Sequence, residues 1–263
     1  MIRALYSAAS GMTAQQLNVD NIAHNIANAN TAGFKTRRAQ FQDLLYQNMI
    51  QPGAAASQQS TIPTGLQLGL GTRAASNEII FSQGEMSQTN NPLDLVIQGS
   101  GFFQIRRVSG DLAYTKAGSF HLNRDGQVVT TDGDLLEPPI TIPQNAMSIS
   151  IAPDGTVSYT QPGQSAAQQA GQVQLANFTN PSGLNSIGRN LYLPTDASGD
   201  PVVGSPGGQE GMGPLLQGYI EQSNVSVVEE FINLIVSQRA YEANSKVVKA
   251  ADEMYQQVNN LKQ

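Results

Sequence analysis

The residue types that most often carry out catalysis or bind metals are scarce in this chain. It has no cysteine, and its two histidines, His24 and His121, lie far apart in the sequence. The absence of cysteine excludes disulfide bonds, thiolate zinc sites and cysteine nucleophiles. Two distant histidines are a poor supply for a metal site or a catalytic dyad, so we expect neither a cofactor nor a bound metal.

Acidic and glycine-rich segments offer a second place to search for chemistry. Residues 125–126 (Asp-Gly) and 132–134 (Asp-Gly-Asp) lack the oxygen-ligand spacing of an EF-hand calcium loop. Residues 99–101 (Gly-Ser-Gly) lack the following Gly-Lys-Ser/Thr of a phosphate-binding loop. Glu229 and Glu230 are adjacent, and adjacent residues of a helix do not converge on one point. The glycine segments are better interpreted as hairpin turns, and the sequence predicts that the protein is not an enzyme.

Charge and polarity restrict the classes of partner. Only 13% of the residues are charged, the net charge is −6, and the amide side chains of 28 glutamines and 20 asparagines supply much of the polarity. A nucleic-acid-binding protein needs a basic face, so we expect protein partners and no nucleic acid. The first thirty residues lack the apolar run of a secretory signal, and no apolar run is long enough to span a membrane. We therefore expect a chain that is not membrane-embedded and that, if it leaves the cytoplasm, does so without cleavage of a signal peptide.

Proline and glycine divide the chain into three parts. All 13 prolines and 23 of the 25 glycines fall in residues 46–220. The stretches 1–45 and 221–263 are therefore predicted to be helical. From Glu78 onward, short runs of alternating apolar and polar residues separated by glycine turns predict antiparallel strands. The predicted fold class is α+β, with the helical parts segregated from a central antiparallel β-rich domain.

Apolar residues recur every seven positions in both predicted helices, which is typical of helices that pack along a seam. Neither helix can bury its stripe alone. One interpretation packs both helices on the central domain as core helices; the other pairs them in a coiled-coil domain, with each other or with neighbouring chains. The residues predicted to pack between subunits are Leu5, Ala8, Met12, Val19, Ile22 and Ile26 in the first helix, and Val227, Phe231, Leu234, Tyr241, Val247, Val248, Ala251, Met254, Tyr255, Val258 and Leu261 in the second.

Two further segments connect these parts. The first helix is predicted to stop in a turn, because Gly33 can adopt positive φ and its neighbours form helix poorly. The residues assigned to that turn are Asn30, Thr31, Gly33 and Phe34. Small, polar and proline-containing residues then predict an extended arm or a flexible linker, and composition favours the linker. The residues that mark this arm are Pro52, Gly53, Pro63, Gly65 and Leu66.

The predicted organisation therefore has four segments. Residues 1–45 and 221–263 form the helical parts of one terminal domain. Residues 46–75 form the arm, and residues 76–220 form the β-rich middle domain. Helical ends that must find partners predict a subunit of an assembly.

Three motifs in this order resemble one protein family. Residues 8–12 (AASGM) and 21–35 (NIAHNIANANTAGFK) are similar to the N-terminal signature of bacterial flagellar rod and hook proteins. Residues 223–231 (SNVSVVEEF) and 238–246 (QRAYEANSK) resemble the family's C-terminal signature. Between them, residues such as 91–97 (NPLDLVI) resemble the shared β domain. The resemblance covers nearly the whole chain.

The resemblance implies a structural protein that flagellar type III export delivers unfolded and that polymerises helically into a hollow shaft in the periplasm. Residues 46–73 are similar to the segment that marks the distal rod type. The implied partners are copies of the chain, proximal rod proteins, the hook protein, the P-ring and L-ring proteins and the export apparatus. Two alternatives stay open: a proximal rod or hook-type subunit, and a cell-wall-binding or hydrolytic β domain.

Overall fold

The computed structural model describes residues 2–52, 55–57, 60–61, 63–163, 166–208 and 211–260. Of the residues singled out above, Gly53 and Leu261 lie outside the described residues, and Val258 lies within the second helix. The elements that follow are those of the described part of the chain.

Long helices lie near both ends of the chain, and strands fill most of the rest. Helix α1 spans Ile2–Ala27 and helix α2 spans Val227–Asn260, with one short 3-10 helix at Pro181–Gly183. The strands are β1 (Arg37–Asp43), β2 (Tyr46–Ile50), β3 (Ala55–Ser57), β4 (Ser60–Thr61), β5 (Leu66–Gly69), β6 (Thr72–Ile79), β7 (Met86–Gln88), β8 (Leu95–Ile97), β9 (Phe102–Arg106), β10 (Leu112–Thr115), β11 (Phe120–Leu122), β12 (Val128–Thr130), β13 (Leu135–Glu137), β14 (Ser148–Ile151), β15 (Thr156–Thr160), β16 (Gln168–Gln172), β17 (Leu175–Asn177), β18 (Asn185–Gly188), β19 (Leu191–Leu193), β20 (Val202–Gly204), β21 (Leu215–Gln217) and β22 (Tyr219–Glu221).

The strand pairings described for the central region are antiparallel, which confirms the α+β class. The largest sheet has nine strands in the order β11-β12-β13-β9-β10-β19-β18, and β17 joins it by pairing with β9 and β20. A three-stranded sheet has the order β14-β15-β16. The Asp-Gly segments form hairpin turns as predicted, and Gly126 and Gly133 have φ values of 75° and 88°.

The chain divides into two compact units that alternate along the sequence. One unit, here called the helical unit, contains residues 1–27, 37–78 and 226–263; the other, the β unit, contains residues 28–36 and 79–225. Helix α1 ends at Ala27, so strand β1 falls inside the stretch 1–45 that composition assigns to helix. The domain boundaries predicted at residues 45, 75 and 220 stay predictions.

In the helical unit, α1 and α2 lie side by side and run antiparallel. The Asn18 side-chain amide donates to Ser237 Oγ at 2.8 Å, and the Asn25 amide donates to Glu230 Oε1 at 3.1 Å. The two contacts are separated by seven residues on each helix, which is the spacing at which helical positions return to one face. The contacting residues on this face are polar, although the sequence pattern predicts an apolar seam.

The segment favoured as a flexible linker is a paired β-ribbon in its described residues, so that interpretation is wrong there. Strand β1 pairs with β6, β2 pairs with β5, and β3 pairs with β4. The ribbon base lies along α1, because Thr72 N donates to Ser10 Oγ at 3.2 Å and Asn77 donates to Asn21 at 2.8 Å. Strands β2 and β5 join residues that are 16 to 23 positions apart, whereas β3 and β4 join residues three to six positions apart. Local composition does not reveal the longer-range pairing.

The β unit contains two apolar clusters. Most of their side chains come from the short strands, and others, such as Ile140 and Val173, come from the loops between strands. The larger cluster includes Leu95, Ile97, Phe103, Ile105, Phe120, Leu136, Ile140, Ile142, Val157, Val173, Leu175 and Leu215. The smaller cluster is Ile79, Phe102, Tyr114, Ala176, Phe178, Leu184 and Tyr192.

Candidate assembly surface

The residues predicted to pack between subunits on α1 are all buried or half-buried within the chain. Burial within the chain therefore already uses part of this stripe. Ala8 and Ile22 are buried, whereas the half-buried residues are Leu5, Met12, Val19 and Ile26. Val19 lines a groove on the helical unit together with Tyr241 of α2, so the structure brings these two predicted residues together.

The predicted stripe on α2 divides into an inward and an outward set. Ala251 is buried, and Leu234, Val248 and Tyr255 are half-buried. The exposed members of the stripe are Val227, Phe231, Tyr241, Val247 and Met254. The exposed set offers the larger apolar area to another chain.

The first three turns of α2 carry exposed apolar residues, and most of them are not among the predicted packing residues, Phe231 being the exception. Their side chains, here called the outer ridge, are 51% to 71% exposed: Val228, Phe231, Ile232, Ile235 and Val236. The missed signal is that seven of the ten residues 227–236 are apolar and together cover more than half of the helix circumference, a wider apolar face than packing on one side requires. An exposed contiguous apolar patch of this kind marks an interaction surface.

Asn25 joins three elements of the helical unit. Its amide nitrogen donates to Arg37 O at 2.9 Å and to Glu230 Oε1, and its Oδ1 accepts from Arg37 N at 3.0 Å. Asn25 is only 1% exposed, so these contacts form away from solvent. Burial raises the pKa of Glu230, and the hydrogen bond from Asn25 opposes that shift. Asn25 therefore positions β1 and α2 relative to α1.

The cap of α2 lies next to this contact. Glu230 N donates to Ser226 O at 3.0 Å, and Glu229 N lies 3.5 Å from Ser226 Oγ. Ser226 and Glu229 have the spacing of a capping box, in which the serine hydroxyl accepts from the third residue of the helix. The sequence around Ser226 therefore determines where α2 and its outer ridge begin.

The ribbon presents a second exposed apolar surface. Of the residues that mark the arm, Pro52 and Pro63 are exposed and Gly65 is half-buried. A Cβ on Gly65 would lie 2.6 Å from Ile50 O, so the close approach of the two strands requires glycine here. The exposed apolar side chains of this segment are Leu45, Tyr46, Met49, Ile50, Leu66, Leu68 and Leu70.

The turn after α1 packs inside the β unit. Thr31 N donates to Asn28 O at 3.1 Å, and Phe34 N donates to Thr31 O at 3.2 Å. Gly33 has a φ of 71°, and a Cβ there would lie 2.7 Å from Ala117 N. Of the four residues predicted for this turn, Gly33 and Phe34 are buried, Thr31 is half-buried and Asn30 is exposed.

A buried ion pair follows the turn, and the sequence patterns did not identify it. Lys35 Nζ lies 2.5 Å from Glu221 Oε1 and donates to Ser82 O at 2.7 Å. Glu221 Oε1 also accepts from Gly84 N at 2.9 Å. Both charged side chains are essentially inaccessible, at 0% and 1% exposure. This pair connects the segment after α1 with the segment before α2.

Asn224 makes a similar connection three residues later. Its Oδ1 accepts from both Thr36 N and Thr36 Oγ1 at 2.7 Å, and its Nδ2 donates to Ile80 O at 2.9 Å. Lys35 and Asn224 lie within segments that resemble the rod and hook proteins, which is the only sequence signal pointing to them.

The described residues contain no group of three or more histidine, aspartate or glutamate side chains arranged to hold a metal ion. Neither described helix combines the length and the apolarity that a membrane crossing demands. The exposed features that call for an explanation are therefore the outer ridge and the ribbon.

Comparison with known proteins shows the family to which the chain belongs. Three family models match the chain: "Flagella basal body rod protein" over residues 5–35, "Flagellar hook protein FlgE/F/G D1 domain" over 96–176 and "Flagellar basal body rod FlgEFG protein C-terminal" over 216–261. Flagellar basal-body rod protein FlgG of Caulobacter vibrioides is 52% identical over 262 residues, with 99% of this chain and 100% of the relative covered. The chain belongs to the FlgG family of flagellar basal-body rod proteins.

More distant FlgG proteins match over the same extent. The FlgG of Borreliella burgdorferi is 46% identical, with 100% of this chain and 99% of the relative covered, and that of Bacillus subtilis is 40% identical with 100% of both covered. The matched segments coincide with the features described above. Residues 5–35 hold most of α1 and the turn, residues 96–176 hold much of the β core, and residues 216–261 include α2 with its outer ridge.

Proposed function

We propose that this FlgG-family chain is a structural subunit that polymerises helically into the distal rod of the bacterial flagellum. The rod is the drive shaft that runs through the periplasm and the rings to the hook, and it is needed for flagellum-dependent motility. The observation that carries the proposal is the outer ridge of α2, whose apolar side chains are left exposed by the chain itself. A second copy of the chain supplies the missing cover.

The proposed partners follow the order of the flagellar axis. They are copies of the same chain, the proximal rod proteins below, the hook protein above and the P-ring and L-ring proteins around the shaft. The type III export apparatus delivers the chain to the growing tip without a cleaved signal peptide. The location is the periplasmic rod of the basal body.

The proposed assembly uses the two helices as a coiled-coil domain. The polar contacts of Asn18 and Asn25 set the antiparallel register of α1 and α2 within one chain. Burying the outer ridge against neighbouring helices then provides the driving force, at about 25 cal/mol for each Å² of apolar surface removed from water. In this arrangement, polar contacts within the chain fix the register of the two helices. Apolar contacts between chains join each helix pair to neighbouring subunits.

The first test replaces Ile235 with serine. Ile235 is 57% exposed on the outer ridge, so the folded monomer should lose little stability. Burial of the remaining half of the side chain stabilises an interface by about 1.4 kcal/mol, and we expect the critical concentration for polymerisation to rise about tenfold. Sedimentation of polymer at a series of subunit concentrations measures this value.

Lys246→Ser is the matched control, because Lys246 is exposed on the same side of α2, three turns further along. We expect it to polymerise like the wild-type chain. If Ile235→Ser polymerises at the wild-type concentration, the outer ridge is not the assembly surface.

The second test removes the arm. In the proposal, the exposed apolar residues of the ribbon contact neighbouring subunits and make the shaft stiff. Excision of residues 46–71 should leave polymerisation possible, because α1 and α2 remain intact, but the shafts should bend more easily. The persistence length of the polymers, measured by electron microscopy, should fall severalfold. An unchanged persistence length would contradict the role assigned to the arm.

A further inference from the structure

A pocket in the β unit has apolar walls and a cation. Its volume is about 220 Å³, and the aromatic rings of Phe81 and Phe102 lie beside Pro181 in its lining. Lys116, the loop 99–101 and the amide residues Gln83 and Asn177 complete it. One water molecule occupies about 30 Å³ of liquid, so the pocket has room for a carboxylate and the carbons that carry it. The rod-subunit function does not by itself explain this pocket.

Lys116 is a buried cation that no carboxylate neutralises directly. It is 4% exposed, its Nζ donates to Gly99 O at 2.6 Å, and the same Nζ lies 5.6 Å from the centroid of the Phe102 ring. Among the described residues no ion pair involves Lys116, because the nearby Glu221 is engaged by Lys35. Burial lowers the pKa of Lys116 to about 8, with Glu221 opposing the shift and Lys35 adding to it.

The loop beside Lys116 has backbone hydrogen-bond donors that are not used within the described part of the chain. The backbone N–H groups of Gly99, Ser100 and Gly101 have no acceptor within the described part of the chain. The loop is held in place from the other side, since Gly213 N donates to Ser100 O at 2.9 Å. Backbone N–H groups next to an ammonium group are the donors from which protein sites for anions are built.

We propose that this pocket receives an aspartate or glutamate side chain from a second copy of the chain. The inference rests on the proposed function, because polymerisation places copies next to one another. The β unit holds 12 acidic and only 6 basic residues, so a neighbouring copy offers many carboxylates. Asp111, Asp125 and Asp154 are examples, since all three are exposed and form no ion pair among the described residues.

The physical reason is charge compensation. A buried ammonium without an acidic partner opposes folding, whereas a buried ammonium that is paired and hydrogen-bonded does not carry the same penalty. The carboxylate from the second copy accepts from Lys116 and from the loop N–H groups, and its aliphatic carbons contact the aromatic walls. The same lysine therefore weakens the isolated subunit and strengthens the contact between subunits.

Lys116→Met separates these two effects. In the full-length monomer we expect thermal unfolding at the wild-type temperature or above it, because methionine fills the space without a charge. We expect the critical concentration for polymerisation to rise about tenfold. A variant that is as stable as the wild type and polymerises equally well would overturn the proposal, and so would a variant whose monomer is less stable, since that result indicates a purely structural lysine.

Arg106→Met is the matched control. Arg106 is an exposed cation of the same unit, and its partner Glu137 lies 2.9 Å away in the same chain. We expect this variant to polymerise like the wild type. An equal rise in the critical concentration for Arg106→Met would show that the loss of any positive charge on this unit weakens assembly, and the pocket would then have no special role.

A second measurement uses the unaltered chain and sodium benzoate as a competing carboxylate. Compared with sodium chloride at equal ionic strength, benzoate should raise the critical concentration of the wild type and leave that of Lys116→Met unchanged. In the monomer it should shift the amide NMR signals of Gly99, Ser100 and Gly101. Absence of these shifts would overturn the pocket assignment, whereas a wild-type chain that never polymerises but shows them would overturn the proposed function alone.

Discussion

Replacing Lys35 with methionine should lower the free energy of unfolding by about 3 to 5 kcal/mol. The Lys35 side chain is fully buried, and its ammonium bonds Glu221 Oε1 and Ser82 O. Without it, the buried Glu221 loses its only ion-pair partner among the described residues, and Glu221 Oε2 already has no hydrogen-bond partner there. Removing one member of a buried pair is far more costly than removing an exposed one. Urea unfolding followed by circular dichroism measures the change.

Arg38→Met provides the comparison for the Lys35 variant. Arg38 lies three residues away and pairs with Glu78 at 3.3 Å, but its side chain is 63% exposed. Exposed pairs contribute about 0 to 1 kcal/mol, so this variant should unfold almost like the wild type. Equal losses for the two variants would contradict the assignment of Lys35 as the buried link between the segment after α1 and the segment before α2.

Replacing Gly118 with alanine should have a comparable effect, a loss of about 3 kcal/mol, at the upper end for overpacking of a core. A Cβ on Gly118 would lie 1.6 Å from Leu95 O, and the Leu95 N–H donates to Gly118 O at 2.9 Å. The methyl group can be accommodated only if the two backbone segments separate, which breaks that hydrogen bond. The same urea experiment measures the loss.

Gly171→Ala is the matched control for Gly118→Ala. Gly171 lies in strand β16, and the nearest atom to its added Cβ is Ile140 Cγ1 at 3.4 Å, an ordinary packing distance. Removing glycine also reduces the entropy of the unfolded chain, so we expect a change within about 1 kcal/mol of the wild type. A stable Gly118→Ala chain would mean that the backbone segments at Leu95 and Gly118 separate readily.

The outcome for α2 shows what a heptad pattern reveals and what it misses. The seven-residue repeat correctly predicted a long helix, which spans Val227–Asn260. The same repeat placed Leu234 and Phe231 on one stripe, although Leu234 is half-buried and Phe231 is exposed. The seven-residue period shows which residues share one side of the helix. It cannot tell which side the chain's own α1 covers and which side is left for a neighbour.

The turn after α1, in contrast to the burial pattern of α2, could be predicted from local sequence. Gly33 and the poor helix formers before it are local signals, and they correctly predicted that the helix stops in this region. Glycine tolerates positive φ because it has no Cβ, and that property needs no knowledge of the fold. The buried position of Lys35, two residues later, depends on Glu221, and a partner 186 residues away leaves no local trace.

The sequence by itself determined the features that depend on near neighbours: two terminal helices, short antiparallel strands, glycine turns and the motifs of the flagellar rod family. Only the tertiary structure decided the features that depend on distant partners. These are the polar register of α1 against α2, the paired β-ribbon formed by the described residues between 37 and 79, the outer ridge and the buried Lys116, which has no ion-pair partner among the described residues. The physical reason is that backbone preferences and side-chain periodicity act over a few residues. Burial depends instead on which segments, distant in the sequence, pack against a given surface.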